Sequence, residues 1–173
     1  SGTIAWGDET KEETGYIKTV KEGIDTGELY IESKGEFLYG PEFSHIFDSR
    51  ENFDISTRFK FNSNKEEDIL QVSFGETNIR VNKTGFLSIN NQHPISINKI
   101  IKVDDYNDLI IKKRSDKYKI HLNNEFIAEY DYRFFKGESI TLAVLGKVLI
   151  QELVHSIQPK GSDKEFGNYY ALM

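Results

Sequence analysis

Phe53-Asp54-Ile55-Ser56-Thr57-Arg58-Phe59-Lys60-Phe61 sets Phe53, Ile55, Thr57, Phe59 and Phe61 against Asp54, Ser56, Arg58 and Lys60. Side chains of an extended chain alternate with period two, so this stretch is a strand with one face in a core and the other in water. The same alternation continues downstream. Leu70, Val72 and Phe74 oppose Gln71 and Ser73, Ile79 and Val81 oppose Asn78, Arg80 and Asn82, and Leu87 and Ile89 point inward from Phe86 to Ile89. Lys83-Thr84-Gly85 supplies a turn. These runs predict four consecutive strands forming a meander with a polar outer face.

Short apolar runs separated by Gly, Asn and Asp extend this pattern in both directions, as strands punctuated by turns do. Tyr16 to Val20 and Leu29 to Glu32 read as strands around a turn near Gly23 and Gly27, and Gly40 to Phe47 reads as one short helical turn with Pro41 near its start. After the loop Asn90 to Pro94, strands are expected at Lys99 to Val103, at Asp108 to Lys113, and at Tyr118, Ile120 and Leu122. Asn123-Asn124, before Phe126, Ala128 and Tyr130, reads as a two-residue hairpin with positive φ at its tip. Ile140, Leu142 and Val144 form a further strand, Gly146-Lys147 a tight turn, and Val148 to Ile157 the last strand. The consecutive apolar residues Val148, Leu149 and Ile150 permit burial on both faces or a bulge.

About a dozen short strands and no long helix predict an all-β fold, a two-sheet antiparallel β-sandwich in preference to a barrel. Residues 1–12 are expected as an N-terminal arm in which Trp6 is an anchor or part of a first strand, and residues 13–160 as the sandwich domain. The segment 161–173 ends in Phe166, Tyr169, Tyr170, Leu172 and Met173, and is expected to pack back on the sandwich or contact a partner.

A length of 173 residues suffices for one substantial core. The 22 basic and 28 acidic residues leave a formal charge of -6, which argues against broad attraction to nucleic acid. Without cysteine there is neither a disulfide framework nor a thiolate nucleophile. No apolar run approaches the roughly 20 residues of a transmembrane helix, and no basic segment leads into an apolar one. Ser1-Gly2 reads as the scar of a cleaved tag, so the missing signal does not locate the protein.

Five groups of residues, in their order and strand character, resemble the concanavalin A-like lectin and glucanase superfamily, particularly its laminin G-like branch. They are Gly27 to Ile31, Phe53 to Phe61, Tyr106 to Ile111, Tyr118 to Phe126 with its Leu122-Asn123-Asn124 hairpin, and Gly137 with the closing strand through Ile157. The resemblance implies a jelly roll of two curved sheets, carbohydrate at the concave sheet and its rim, and an extracytoplasmic location. Where the family hairpin has Asn-Gly, this chain has Asn123-Asn124, a departure that positive-φ asparagine tolerates.

Laminarinase-like members carry three acidic residues at alternating strand positions, which share one face as nucleophile and acid chemistry across a glycosidic bond demands. The nearest cluster here, Glu66-Glu67-Asp68, is consecutive and reads as a solvated loop. Asp104, Asp105, Asn107 and Asp108 are oxygen donors of the kind calcium takes, although calcium needs six or more that converge, so a polar turn is the preferred reading. His45, His93, His121 and His155 show no zinc spacing. Lys112-Lys113-Arg114, Lys117 and Lys119 around Tyr118 read first as a charged hairpin edge and second as an anionic-ligand contact.

No catalytic set emerges. The binding candidates are Arg58, Gln71, Ser73, Arg80, Phe86 and Ser88, which point away from the expected core and offer hydrogen-bonding groups and an aromatic surface suited to a sugar ring. The function expected is a noncatalytic carbohydrate-binding or recognition module whose partner is a glycan. The alternatives are a glycoside hydrolase of the same superfamily and a protein-interaction or accessory domain.

Overall fold

The computed structural model describes residues 2–3, 10–12, 15–22, 26–44, 50–65, 67–132 and 139–158. They form thirteen strands, and no helix occurs among the described residues. In chain order these are β1 (Gly2–Thr3), β2 (Thr10–Glu12), β3 (Gly15–Glu22), β4 (Thr26–Ser44), β5 (Asn52–Phe61), β6 (Ile69–Phe74) and β7 (Thr77–Asn82). There follow β8 (Phe86–Ile89), β9 (Ile95–Ser96), β10 (Asn107–Arg114), β11 (Lys117–Leu122), β12 (Glu125–Asp131) and β13 (Ser139–Gln158). Every pairing is antiparallel, in the order β12-β11-β10-β5-β13-β6-β7-β8-β9.

The 20-residue strand β13 makes two layers out of this one path. Its first half, Ile140 to Leu145, pairs with β6, and its second half, Val148 to Gln158, pairs with β5. Along its other side runs β4, and Gly2 and Thr3 of β1 lie opposite His155 and Val154. The layers face each other across an aromatic seam: Phe53 of β5 meets Phe74 of β6 edge-on at 6.3 Å, and Phe74 meets Tyr118 of β11 at 5.8 Å. Burying each such ring contributes about 1.5–3 kcal/mol. Strand β5 alternates as its sequence predicts, with Phe53, Ile55, Thr57, Phe59 and Phe61 all buried.

Gly146 is where β13 changes layer. Its φ of +82° is a region that glycine enters freely. The bend strands the Lys147 amide, and the fully buried Asp68 takes it up: Oδ1 accepts from Lys147 N at 3.0 Å while Oδ2 accepts from Ser63 N at 2.9 Å. Asn62 N donates to Lys147 O at 2.9 Å, so the link from β5 to β6 is tied to the bend from both ends.

Several expectations change here. Gly146-Lys147 is a bend inside one strand and not a tight turn: β13 runs unbroken from Ser139 to Gln158 and pairs with β4 on both sides of the bend, with a register shift between Val144 and Gly146. Strands β5 and β6 are sequential but not neighbours, since β13 lies between them, so the meander is β6 to β9. Asp68 is buried and not solvated, because the bend needs its oxygens. Lys99 to Val103 is not a strand: Ile100 N and Ile101 N both bond to Ile97 O at 2.9 Å, folding the segment onto buried Ile97. Gly40 to Ser44 are strand residues of β4, and the remainder of the helical turn expected there lies outside the described residues, as do Trp6 and the segment 161–173. The hairpin Asn123-Asn124 is present with φ of 51° and 67°, and β13 has the bulge its sequence permits, between Ile150 and Glu152.

Tyr118 is buried against Phe74 and stacked on Tyr130 at 5.7 Å. Burial, helped by Tyr130 and opposed by a hydrogen bond with Thr77, pushes its phenol up to about 12. A raised folded-state value means that the contribution to stability is intact below the unfolded value near 10 and lost as pH rises through about 12. Urea midpoints from pH 9 to 12 are expected to fall less steeply in Tyr118→Phe than in the parent, and equal slopes would sink the assignment.

Candidate functional site

The outward face of β6, β7 and β8 is built of cross-strand rows. Ala143 of β13, Gln71, Arg80 and Ser88 form one row, and Thr141, Ser73 and Asn78 another. Leu145, Ile69, Asn82, Phe86 and Ser96 of β9 form a third. Five of the six sequence-derived candidates, Gln71, Ser73, Arg80, Phe86 and Ser88, therefore stand together on one face. Arg58 does not: it lies on β5 in the other layer, beside Glu152 and Asp108, with Nη1 3.2 Å from Asp108 Oδ2 and Cζ 5.2 Å from the Tyr106 ring centre.

A directional hydrogen-bond relay organises the face. Arg80 Nε donates to Gln71 Oε1 at 2.7 Å, Gln71 Nε2 donates to Ser73 Oγ at 3.1 Å, and Ser73 Oγ donates to Asn78 Oδ1 at 2.6 Å. Gln71 is buried although it points away from the core, and its two bonds fix which end of the amide is oxygen. The Arg80 guanidinium also lies over the ring of Phe37, from β4, at 4.4 Å. Phe86 is 45% exposed, and its amide is held by Asn82 Oδ1 at 2.9 Å.

Phe37 and Asn78 belong to this face and were not among the candidates. Asn78 is available from the same alternation that yields Arg80. Phe37 reaches the site because the 19-residue β4 pairs along β13 from Ser139 to Ile150, which no local pattern announces.

Near the Gly146 bend a cleft of about 760 Å³ opens, lined by Glu32, Ser33, Asn64, Lys65, Glu67 and Lys147. Lys147 Nζ is 3.6 Å from Glu32 Oε1. The basic segment of β10 and β11 is largely neutralised: Lys113 is buried, Arg114 pairs with Asp54 at 2.7 Å, Lys117 with Asp131 at 2.8 Å, and Lys119 with Glu129 at 3.7 Å. On that layer Phe126, 56% exposed, meets His121 at 5.7 Å. Burial, with Lys112 and Lys119 nearby, lowers the His121 value, which favours the neutral ring.

The other sequence-derived candidates disperse. Asn107 Oδ1 accepts from Lys102 N at 2.8 Å and from Asn123 Nδ2 at 2.9 Å, Asp108 faces Arg58, and Asp105 Oδ1 accepts from Tyr106 N. His155 is buried against Phe53 at 5.4 Å, His93 is exposed, and His45 lies outside the described residues. Among the described residues, no three His, Asp or Glu side chains are grouped to hold a metal ion. The outward positions of β6 to β9 carry no carboxylate.

No family model matches the sequence, and no curated protein matches it. Solved structures do match. Sheep galectin-11 superposes with a TM-score of 0.52 at 12% identity, over 70% of this chain and 96% of its own. A galectin of Caenorhabditis elegans gives 0.51 at 8%, over 69% and 95%. The carbohydrate recognition domain of Emp47p gives 0.50 at 12%, over 88% and 87%. Identities this low speak for the fold.

Proposed function

We propose that this chain, a concanavalin A-like jelly roll of the lectin type, is a noncatalytic carbohydrate-binding module that holds its ligand on the outer face of β6 to β8. The relay Arg80-Gln71-Ser73-Asn78 carries this reading: it presents polar groups already fixed in direction, next to the exposed ring of Phe86. Preorganised donors lose little freedom on binding, and a sugar offers hydroxyls to such groups and an apolar ring face to an aromatic side chain. Ser88, opposite Arg80, lines the same surface. Its neighbours in fold, the galectins and the Emp47p carbohydrate recognition domain, are lectin-type domains and support the reading.

Saturable binding on a broad glycan array is the expected result. Arg80→Ala should weaken it by about tenfold or more, since a hydrogen bond to a charged group contributes about 1.5–3 kcal/mol, and Phe86→Ala by a similar factor, since covering its ring contributes about 1.5–3 kcal/mol. Arg58→Ala, on the other layer, should leave it unchanged. Binding that survives both face variants with unchanged circular dichroism would place the ligand elsewhere.

A further inference from the structure

Resting on that reading, we infer that the saccharide taken by this face carries a carboxylate, received by the two Nη atoms of Arg80. The relay runs one way, and each acceptor in it already takes one bond: Gln71 Oε1 from Arg80, Ser73 Oγ from Gln71, and Asn78 Oδ1 from Ser73. The donors at its two ends, the Nη groups of Arg80 and Nδ2 of Asn78, make no hydrogen bond among the described residues, and those of Arg80 carry the charge. A neutral sugar presents hydroxyls that both give and accept. A carboxylate only accepts, and it matches a planar guanidinium with two parallel bonds.

The charge around Arg80 supports the same ligand. Arg58 and Arg114 are each paired with a carboxylate, Asp108 and Asp54, whereas Arg80 has an amide oxygen and an aromatic face. No Asp or Glu occupies the outward positions of β6 to β9 to neutralise it. The Phe37 ring on one side and Gln71 at Nε hold the guanidinium plane in place, and among the described residues nothing bonds the Nη edge. With a formal charge of -6 the whole protein does not attract anions, so any preference for an acidic sugar has to arise at this contact.

Calorimetry on the intact protein would use oligogalacturonate and sialyllactose, each against its carboxyl-reduced counterpart. The acidic form is expected to bind at least about tenfold tighter, as charge-assisted bidentate bonds do relative to neutral ones. Arg80→Gln should erase the difference. So should Ser88→Asp, which sets a carboxylate cross-strand from Arg80 without removing it and keeps the test open if the first variant does not fold. Reduced forms binding equally well would overturn the carboxylate inference and leave the carbohydrate reading standing. A preference that persists in both variants would also overturn it. Absence of binding to any saccharide, acidic or neutral, across the glycan array would remove both.

Discussion

Gly146→Ala is expected to destabilise the protein by roughly 3–5 kcal/mol, a large part of the 5–15 kcal/mol typical of a folded domain. At φ +82° an L-residue incurs about 1–2 kcal/mol, because its Cβ crowds the following carbonyl. The new methyl would also overlap Asp68 Oδ1 and stand 3.0 Å from Asp68 Cα, which is backbone and cannot swing aside. Displacing that carboxylate strands the amides of Lys147 and Ser63, at about 1–3 kcal/mol for a buried donor left unbonded. Urea unfolding measures the loss. A Gly146→Ala protein within about 1 kcal/mol of the parent would show that the bend tolerates a side chain and that Asp68 is not holding it.

Lys113→Met should cost about 2–4 kcal/mol. Lys113 is 1% exposed on an inward position of β10, where its Nζ donates to Arg50 O at 2.7 Å and Glu51 O at 2.8 Å and sits 4.8 Å from the Tyr132 ring centre. Methionine preserves the stem's packing but leaves both carbonyls without this donor and the ring without its cation. Removing the ammonium also relieves the cost of burying a charge, which keeps the expected loss below that of a buried ion pair broken on one side. Lys113→Ala should be worse, since the stem's contacts go as well. If Lys113→Met were as stable as the parent in urea, the ammonium would be an accommodated charge and not the support of residues 50 and 51.

Lys113 also marks the limit of what alternation reveals. The period-two rule assigns the faces of β5, β6, β7, β8 and β11 correctly, because their inward residues are apolar. It reads Lys113 as part of a charged edge, although β10 alternates through that position as strictly as β5 does. A long stem with a polar tip can be buried wherever carbonyls meet the tip, and which carbonyls meet it depends on residues some 62 positions away. Asp68 escaped for the same reason: its partner Lys147 is 79 positions distant. The candidate face was legible as far as local alternation reaches, which groups Gln71, Ser73, Arg80, Phe86 and Ser88. Arg58 was grouped with them by treating sequential strands as neighbours, and β13 separates them.

The placement of β13 sets the order in which this protein can become itself during synthesis. Strand β5 emerges from the ribosome long before the partner it needs: Thr57 Oγ1 waits for the carbonyl of Glu152, 95 positions later. Until residues 139–158 arrive, β5 and β6 each present an unpaired ladder edge, and the ring of Phe53 cannot be closed in from its β13 side. Pairings this remote fold slowly, and open strand edges recruit other chains. The nascent chain is therefore most vulnerable to misassociation just before β13 is made, and a truncation within β13 would release a chain with both layers unjoined.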